Sequence, residues 1–254
     1  MTVKWNGQEY TKSYSFVHQY GEDVLRLITL KEGQRVLDLG CGNGALTQKL
    51  AEMGLVAEGL DSAEELLAIA RKNYPTIPFH LGNAIDFQLD HSVDVVFSNA
   101  VLHWIKVEKQ PQLLTTIYQH LADSGQFVAE FGGYGNNALI HQALAEAFQQ
   151  RNLPYSTPFY FPSIGEYTPL LENAGFTVTY AVLFDRLTKL NGPHGLKDWI
   201  TMFVQEPFHS IEAQEKAAII QQAVEALRPV LYRENDWYAD YVRIRIKAEK
   251  RKTD

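Results

Sequence analysis

The chain of 254 residues has a single cysteine, Cys41, which excludes an internal disulfide and any multi-cysteine metal centre. It also lacks a long apolar run. No stretch approaches the ~20 apolar residues of a membrane span, and the polar start Met1-Thr2-Val3-Lys4-Trp5-Asn6 has no secretory-leader pattern. A cytoplasmic location without a membrane partner is expected. Basic excess is missing too: Lys and Arg number 23 against 30 Asp and Glu, a net charge of −7. Broad nucleic-acid binding needs a basic surface, so that class is disfavoured. The one basic cluster, Lys247, Lys250, Arg251 and Lys252, reads as a solvated tail keeping an edge strand soluble. No HExxH, paired His/Asp cluster or EF-hand loop appears, so no metal is expected. Internal repeats, low-complexity tracts and interdomain linkers are absent as well.

What is present suffices for one large α/β domain, because 46% of residues are hydrophobic. Val36, Leu37 and Leu39 read as a strand buried on both faces, and apolar residues recur at helical spacing from Ala45 to Met53. Between them Gly40-Cys41-Gly42-Asn43-Gly44 must turn sharply and approach a ligand, which residues without Cβ permit. Cys41, between two glycines, reads as a small residue filling the turn. The free N–H groups opening the next helix favour a carboxylate or phosphate. A second strand, Val56 to Asp61, ends in an acid able to accept hydrogen bonds from both hydroxyls of a ribose. Asp61 also suits a helix start with Ser62 and Glu64-Glu65, and the two roles are compatible. From Arg35 to Phe131 strands and helices alternate, implying a parallel sheet covered on both faces. Strands are expected later at Thr177 to Phe184 and Tyr241 to Ala248. The last alternates apolar and basic residues as a half-exposed strand should, and a helix from Ile211 to Leu227 precedes it.

Asp38-Leu39-Gly40-Cys41-Gly42-Asn43-Gly44 resembles the D-x-G-x-G turn of class I S-adenosylmethionine-dependent methyltransferases, and Asp61 matches their ribose-binding acid. Gly82-Asn83-Ala84-Ile85 resembles the G-D-A segment at the adenine edge, with Asn83 in place of the usual Asp; an amide oxygen still accepts the adenine amino group. Val93 to Trp104 resembles the segment after the fourth strand. Its SNAVLHWI form is similar to the branch containing trans-aconitate methyltransferases and other small-carboxylate O-methyltransferases. The resemblance covers about residues 33 to 133. It implies a Rossmann-like fold with a seven-stranded, mostly parallel sheet, an antiparallel last strand and helical lid insertions. It further implies S-adenosylmethionine as cofactor, S-adenosylhomocysteine as product and a small-molecule acceptor. The cofactor residues implied are Asp38, Gly40, Cys41, Gly42, Asn43, Gly44, Asp61, Ser62, Asn83, Ala84, Ile85, Ser98, Asn99 and Trp104. Tyr14 and Tyr20 join them, from an N-terminal segment that in such families folds over the cofactor.

The expected organisation is a single domain over 1–254, with an aromatic cap at 1–32 and a cofactor-binding core at 33–133. Insertions at 134–162 and 190–208 would form the lid and the acceptor pocket. The chain is expected to act as a monomer or homodimer. His18, His103, His141, His194 and His209 are scattered. His103 is the candidate catalytic group, either lining the acceptor pocket or serving as base, with a packed helix-start turn as the structural alternative. Arg151, Arg186 and Arg233 are the candidates for a fork holding an anionic acceptor. A carboxylate acceptor needs no base, being ionised at neutral pH; a phenol, amine or carbon acid usually does. Two alternatives share the turn and Asp61: a dinucleotide-dependent oxidoreductase, and a non-catalytic cofactor-binding protein of the same fold.

Overall fold

The structure, a computed structural model, describes residues 23–251. Tyr14, Tyr20, His18 and Lys252, with most of the expected cap, lie outside the described residues. The first half of the chain follows the expected alternation: β1 (Arg35–Leu39), α1 (Ala45–Glu52), β2 (Val56–Asp61), α2 (Glu64–Asn73), β3 (Phe79–Leu81), β4 (Val93–Asn99), α3 (Gln110–His120) and β5 (Leu121–Gly132). The second half contains α4 (Ala138–Gln149), α5 (Ile164–Asn173), β6 (Phe176–Leu190), α6 (Gly195–Phe203), α7 (Ala213–Leu231), β7 (Tyr232–Arg233) and β8 (Asp236–Lys250). No helix among the described residues is long and apolar enough to cross a membrane.

One sheet runs in the order β3-β2-β1-β4-β5-β8-β6, with β7 paired to β8. Strands β1 to β5 are parallel, whereas β8 lies antiparallel between β5 and β6. This is the Rossmann-like methyltransferase architecture with its antiparallel last strand, plus the two-residue β7. Glu234 and Asn235, both with positive φ, form the two-residue turn into β8, the geometry that matches strand twist in a tight hairpin.

The strand β1 is buried on both faces because its apolar residues serve two cores. Leu37 and Leu39 pack with Leu113, Ile117, Phe127 and Ile244 on the face covered by α3 and α5. Val36 packs with Leu46, Leu50, Val95 and Val128 on the face covered by α1, where Val24 and Ile28 also lie. The helix α5 has its own start signal: Ser163 Oγ accepts the Glu166 N–H while Glu166 accepts the Ser163 N–H, a reciprocal cap. A third core joins α4, α6 and α7 to Trp237, Ala239 and Tyr241 of β8. Both expected lid insertions contribute to this core, and α7 closes it.

The last strand departs from expectation. It is interior rather than an edge, and the exposed edge belongs to β6. Alternation along β8 has the expected period, yet its basic face meets protein instead of water. Glu130 of β5, 2% exposed, accepts two hydrogen bonds from the Arg186 guanidinium at 2.5 and 2.9 Å and one from Arg245 Nε. Arg243 Nε stands 3.9 Å from the same carboxylate. The supposed tail is also engaged: Lys247 Nζ donates to Thr29 Oγ1, and Lys250 Nζ donates to the carbonyls of Tyr118 and Leu121. Strands β6 and β8 run longer than expected because past Gly132 they continue as a ribbon, which supports the third core.

Removing one member of a buried ion cluster strands the others without compensation, at about 3–5 kcal/mol. Glu130→Gln should therefore lower the unfolding free energy by about 3 kcal/mol in urea denaturation at neutral pH. A loss below about 1 kcal/mol would mean that the cluster behaves as a solvated surface pair.

Candidate functional site

The glycine turn sits at the C-terminal ends of β1, β2 and β4, the edge where open α/β sheets bind ligands. Gly40 and Cys41 both donate their N–H groups to Leu60 O, at 2.7 and 3.1 Å. Gly40 has φ +80°, and a Cβ there would lie 2.2 Å from Val101 Cγ2, so the turn after β1 and the loop after β4 touch at a point only glycine allows. Gly42 also has positive φ, but a Cβ on it would meet nothing nearer than Leu66 Cδ1 at 3.9 Å. The turn is tight toward β4 and open at Gly42, which leaves a cradle of main chain there.

Asp61 ties this cradle together. Its Oδ2 accepts the Gly42 N–H and its Oδ1 the Ala63 N–H, each at 2.8 Å. Burial raises its pKa, opposed by the N–H bonds from Ala63, Gly42 and Ser62. The expected N-cap role is not formed, because α2 starts from Ala63 without a side-chain cap, and each carboxylate oxygen keeps a further lone pair. Ser62 is exposed beside it. Asn83 Oδ1 accepts the Ile85 N–H at 3.1 Å, while Thr116 Oγ1 donates to Ile85 O; this fixes the exposed Asn83 turn beyond β3, with Ala84 packed below it. Asn99 ends β4, and the next N–H, of Ala100, donates to Glu130 O at 2.7 Å.

Several expected cofactor residues have side chains engaged within the fold. Ser98 is fully buried and donates to Leu39 O at 2.8 Å, bridging β4 to β1; alternation along the strand turns it inward. Cys41 packs with Leu67, Ala70 and Phe79, and burial pushes its thiol up, so only its main chain faces the turn. Asp38 is buried and accepts the Thr47 hydroxyl at 2.6 Å, which anchors α1 behind the cradle. Asn43 is buried next to it and accepts the Ala45 N–H at 3.3 Å.

On the far side of Val101, Leu102–Trp104 form a short 3-10 turn. His103, 8% exposed, accepts the Gly132 N–H at Nδ1, at 3.3 Å. Burial, and secondarily the Arg243 charge, lowers its pKa well below the usual imidazole range. His103 is thus neutral, and its remaining nitrogen, Nε2, carries the proton. Around it lie Trp104, Phe159 and Phe161: Trp104 meets Phe159 edge-on at 4.7 Å, and the two phenylalanines stack at 5.3 Å. Gly132 is required here, since a Cβ would lie 2.5 Å from the Phe161 ring. These phenylalanines lie in the expected insertion at 134–162, and their contact with His103 depends on a return of the chain that no local period signals.

None of the three expected arginines is placed as a fork for an acceptor. Arg151 pairs with Glu215 and Gln222, Arg186 grips Glu130, and Arg233 donates to Val230 O on the surface. His194 and His209 are exposed. Among the described residues no group of three or more His, Cys, Asp or Glu is arranged to hold a metal ion.

Burial raises the Asp38 carboxyl from 3.8 to about 7. The folded state then holds this proton more tightly than the unfolded chain, so stability falls as pH climbs from about 4 to about 7. Asp38→Asn keeps an acceptor for Thr47 and removes that titration. Relative to wild type, the variant should gain stability by up to about 3 kcal/mol between pH 4.5 and pH 8, read by urea denaturation across pH; a constant difference would mean that folding leaves this carboxyl's pKa unchanged.

Residues 36–125 match the methyltransferase domain family. The uncharacterized methyltransferase C70.08c of Schizosaccharomyces pombe is 32% identical over 97% of this chain and 98% of its own length. Trans-aconitate 2-methyltransferase of Mycobacterium tuberculosis is 32% identical over 70% of each chain. Among solved structures, phosphoethanolamine N-methyltransferase 2 of Haemonchus contortus, solved with phosphomonomethylethanolamine and S-adenosylhomocysteine, superposes with a TM-score of 0.57 at 18% identity, covering 92% of this chain and 53% of that one. This likeness is one of fold. The dinucleotide-dependent alternative falls away: the chain belongs to the class I S-adenosylmethionine-dependent methyltransferases.

Proposed function

We propose that the protein methylates a carboxylate oxygen of a small-molecule acceptor. When bound, S-adenosylmethionine supplies a methyl group on a positively charged sulfur, already activated toward a nucleophile. The cradle main chain at Gly40, Gly42 and Gly44 lies close to it, Asp61 accepts from its ribose, and Asn83 to Ile85 form the adenine edge. Asn99 and Trp104 wall the side toward the acceptor. Asp38 and Thr47 hold α1 so that the cradle keeps its shape. The two lid insertions cover the acceptor side and keep water out, and positioning alone supplies roughly 7–11 kcal/mol of barrier reduction.

The observation that carries the carboxylate assignment is the state of His103. Its Nδ1 lone pair is occupied by the Gly132 N–H and burial keeps the ring neutral, so the imidazole beside the methyl-transfer position offers a hydrogen-bond donor and no base. A carboxylate is already ionised at neutral pH and needs none. Similarity to a trans-aconitate 2-methyltransferase supports the same acceptor class.

Two measurements test this reading. S-adenosylhomocysteine should bind at micromolar concentration in calorimetry, and Asp61→Ala should weaken it at least tenfold, since hydrogen bonds to a charged group are worth about 1.5–3 kcal/mol each. With methyl-labelled S-adenosylmethionine and a panel of small carboxylic acids including trans-aconitate, the transferred label should be released as methanol by mild alkali. Alkali-stable label would move the acceptor atom to nitrogen, carbon or a phenol.

A further inference from the structure

His141 lies in the first turns of α4. Its Nδ1 is 2.6 Å from the Tyr155 hydroxyl, while its Nε2 is buried and has no hydrogen-bond partner among the described residues. Its ring packs on the same stacked phenylalanines as His103: centroids lie 5.7 Å from Phe159 and 6.1 Å from Phe161 for His141, against 5.9 and 5.8 Å for His103. Both imidazoles therefore pack against one aromatic pair.

The tautomer of His141 follows from its partner. The Tyr155 hydroxyl has no other hydrogen bond among the described residues. A phenol is more acidic than a neutral imidazole N–H and is the better donor, so Tyr155 donates to Nδ1 and the imidazole proton stays on Nε2. Burial holds the ring neutral, with its pKa lowered to about 4. The outcome matches His103, where a main-chain N–H occupies Nδ1. Two different neighbours thus impose the same state. A buried N–H without an acceptor is rare in folded proteins and calls for a ligand atom to complete it.

We propose that His141 is an acceptor-binding residue: its Nε2–H and that of His103 donate hydrogen bonds to oxygen atoms of the acceptor, and Tyr155 is the positioning residue that fixes the His141 tautomer. The inference rests on the carboxylate reading and narrows it to an acceptor with oxygen acceptors at two places along a planar or apolar frame that fits against Phe159 and Phe161. Neutral N–H donors orient such a molecule without the strong ion pair that a guanidinium would make.

The test combines spectroscopy with kinetics on the full-length protein holding S-adenosylhomocysteine. Long-range proton–nitrogen spectra of histidine-labelled protein should show His103 and His141 neutral and protonated at Nε2 from pH 5.5 to 8. Tyr155→Phe should convert His141 to a mixture of tautomers while leaving His103 unchanged. A His141 that carries its proton on Nδ1, or ionises near pH 6.5, overturns the inference whatever the acceptor. In the label assay, with trans-aconitate or the panel acid that takes up most label, His141→Gln should raise KM at least tenfold, with kcat within threefold and S-adenosylhomocysteine affinity unchanged. An unchanged KM overturns the inference while the carboxylate reading stands; alkali-stable label in the wild type overturns that reading instead.

Discussion

A single buried carboxylate decides where the last strand lies. The apolar face of β8, Ile244, Ile246 and Ala248, repeats every second residue, so a slip by two positions would still point apolar side chains into the core. Hydrophobic burial alone leaves that register undecided. Glu130 removes the ambiguity: Arg245 stands directly opposite on β8, and Arg186 must reach the same two oxygens from β6. The desolvated charges are tolerable only with this geometry complete. Register at Glu130 then fixes register along the distal ribbon, on which Trp237, Ala239 and Tyr241 carry the core of α4, α6 and α7.

The loop after β4 inherits this constraint through two main-chain atoms of β5. Glu130 O accepts the Ala100 N–H, and the Gly132 N–H reaches His103. The strand whose side chain holds the ion cluster thus holds, by its main chain, both ends of the loop after β4. That loop presses Val101 against Gly40. The glycine turn, built from main-chain geometry, and the loop that carries His103 and Trp104 therefore meet at one contact with no room for a side chain on the glycine.

Much of the cradle was legible in the sequence because its signals are local. Glycines between a two-faced strand and a helix, followed by an acid ending the next strand, fall within one stretch of chain, and spacing carries the information. What spacing does not carry is the partner. Ser98, Cys41 and Asp38 lie at positions that the family pattern assigns to the ligand, yet strand alternation and helix packing turn their side chains to Leu39 O, the α2 core and Thr47. The apolar and basic alternation of β8 was read correctly as a strand and wrongly as half-exposed, since its period is the same whether the polar face meets water or Glu130. His141 and Tyr155 are 14 residues apart and meet only because the chain leaving α4 turns back over it; nothing periodic marks the pair.

On the carboxylate reading, the charged and the neutral groups near His103 have separate tasks. Three guanidiniums cluster at Glu130, two of them hydrogen-bonded to it, while the imidazoles on the Phe159–Phe161 stack are kept neutral by burial. In a low-dielectric chamber a cation in direct contact with a nucleophilic carboxylate would stabilise it most in the ground state, where its charge is full, and less in the transition state, where that charge is being neutralised. Neutral donors bound to the oxygens remote from the methyl group orient the acceptor and leave the attacking oxygen its charge. On the carboxylate reading, the guanidiniums at Glu130 contribute a positive potential over a longer distance, which favours the approach of an anion to a protein whose net charge is −7. On the carboxylate reading, attraction and reactivity are thus assigned to different side chains.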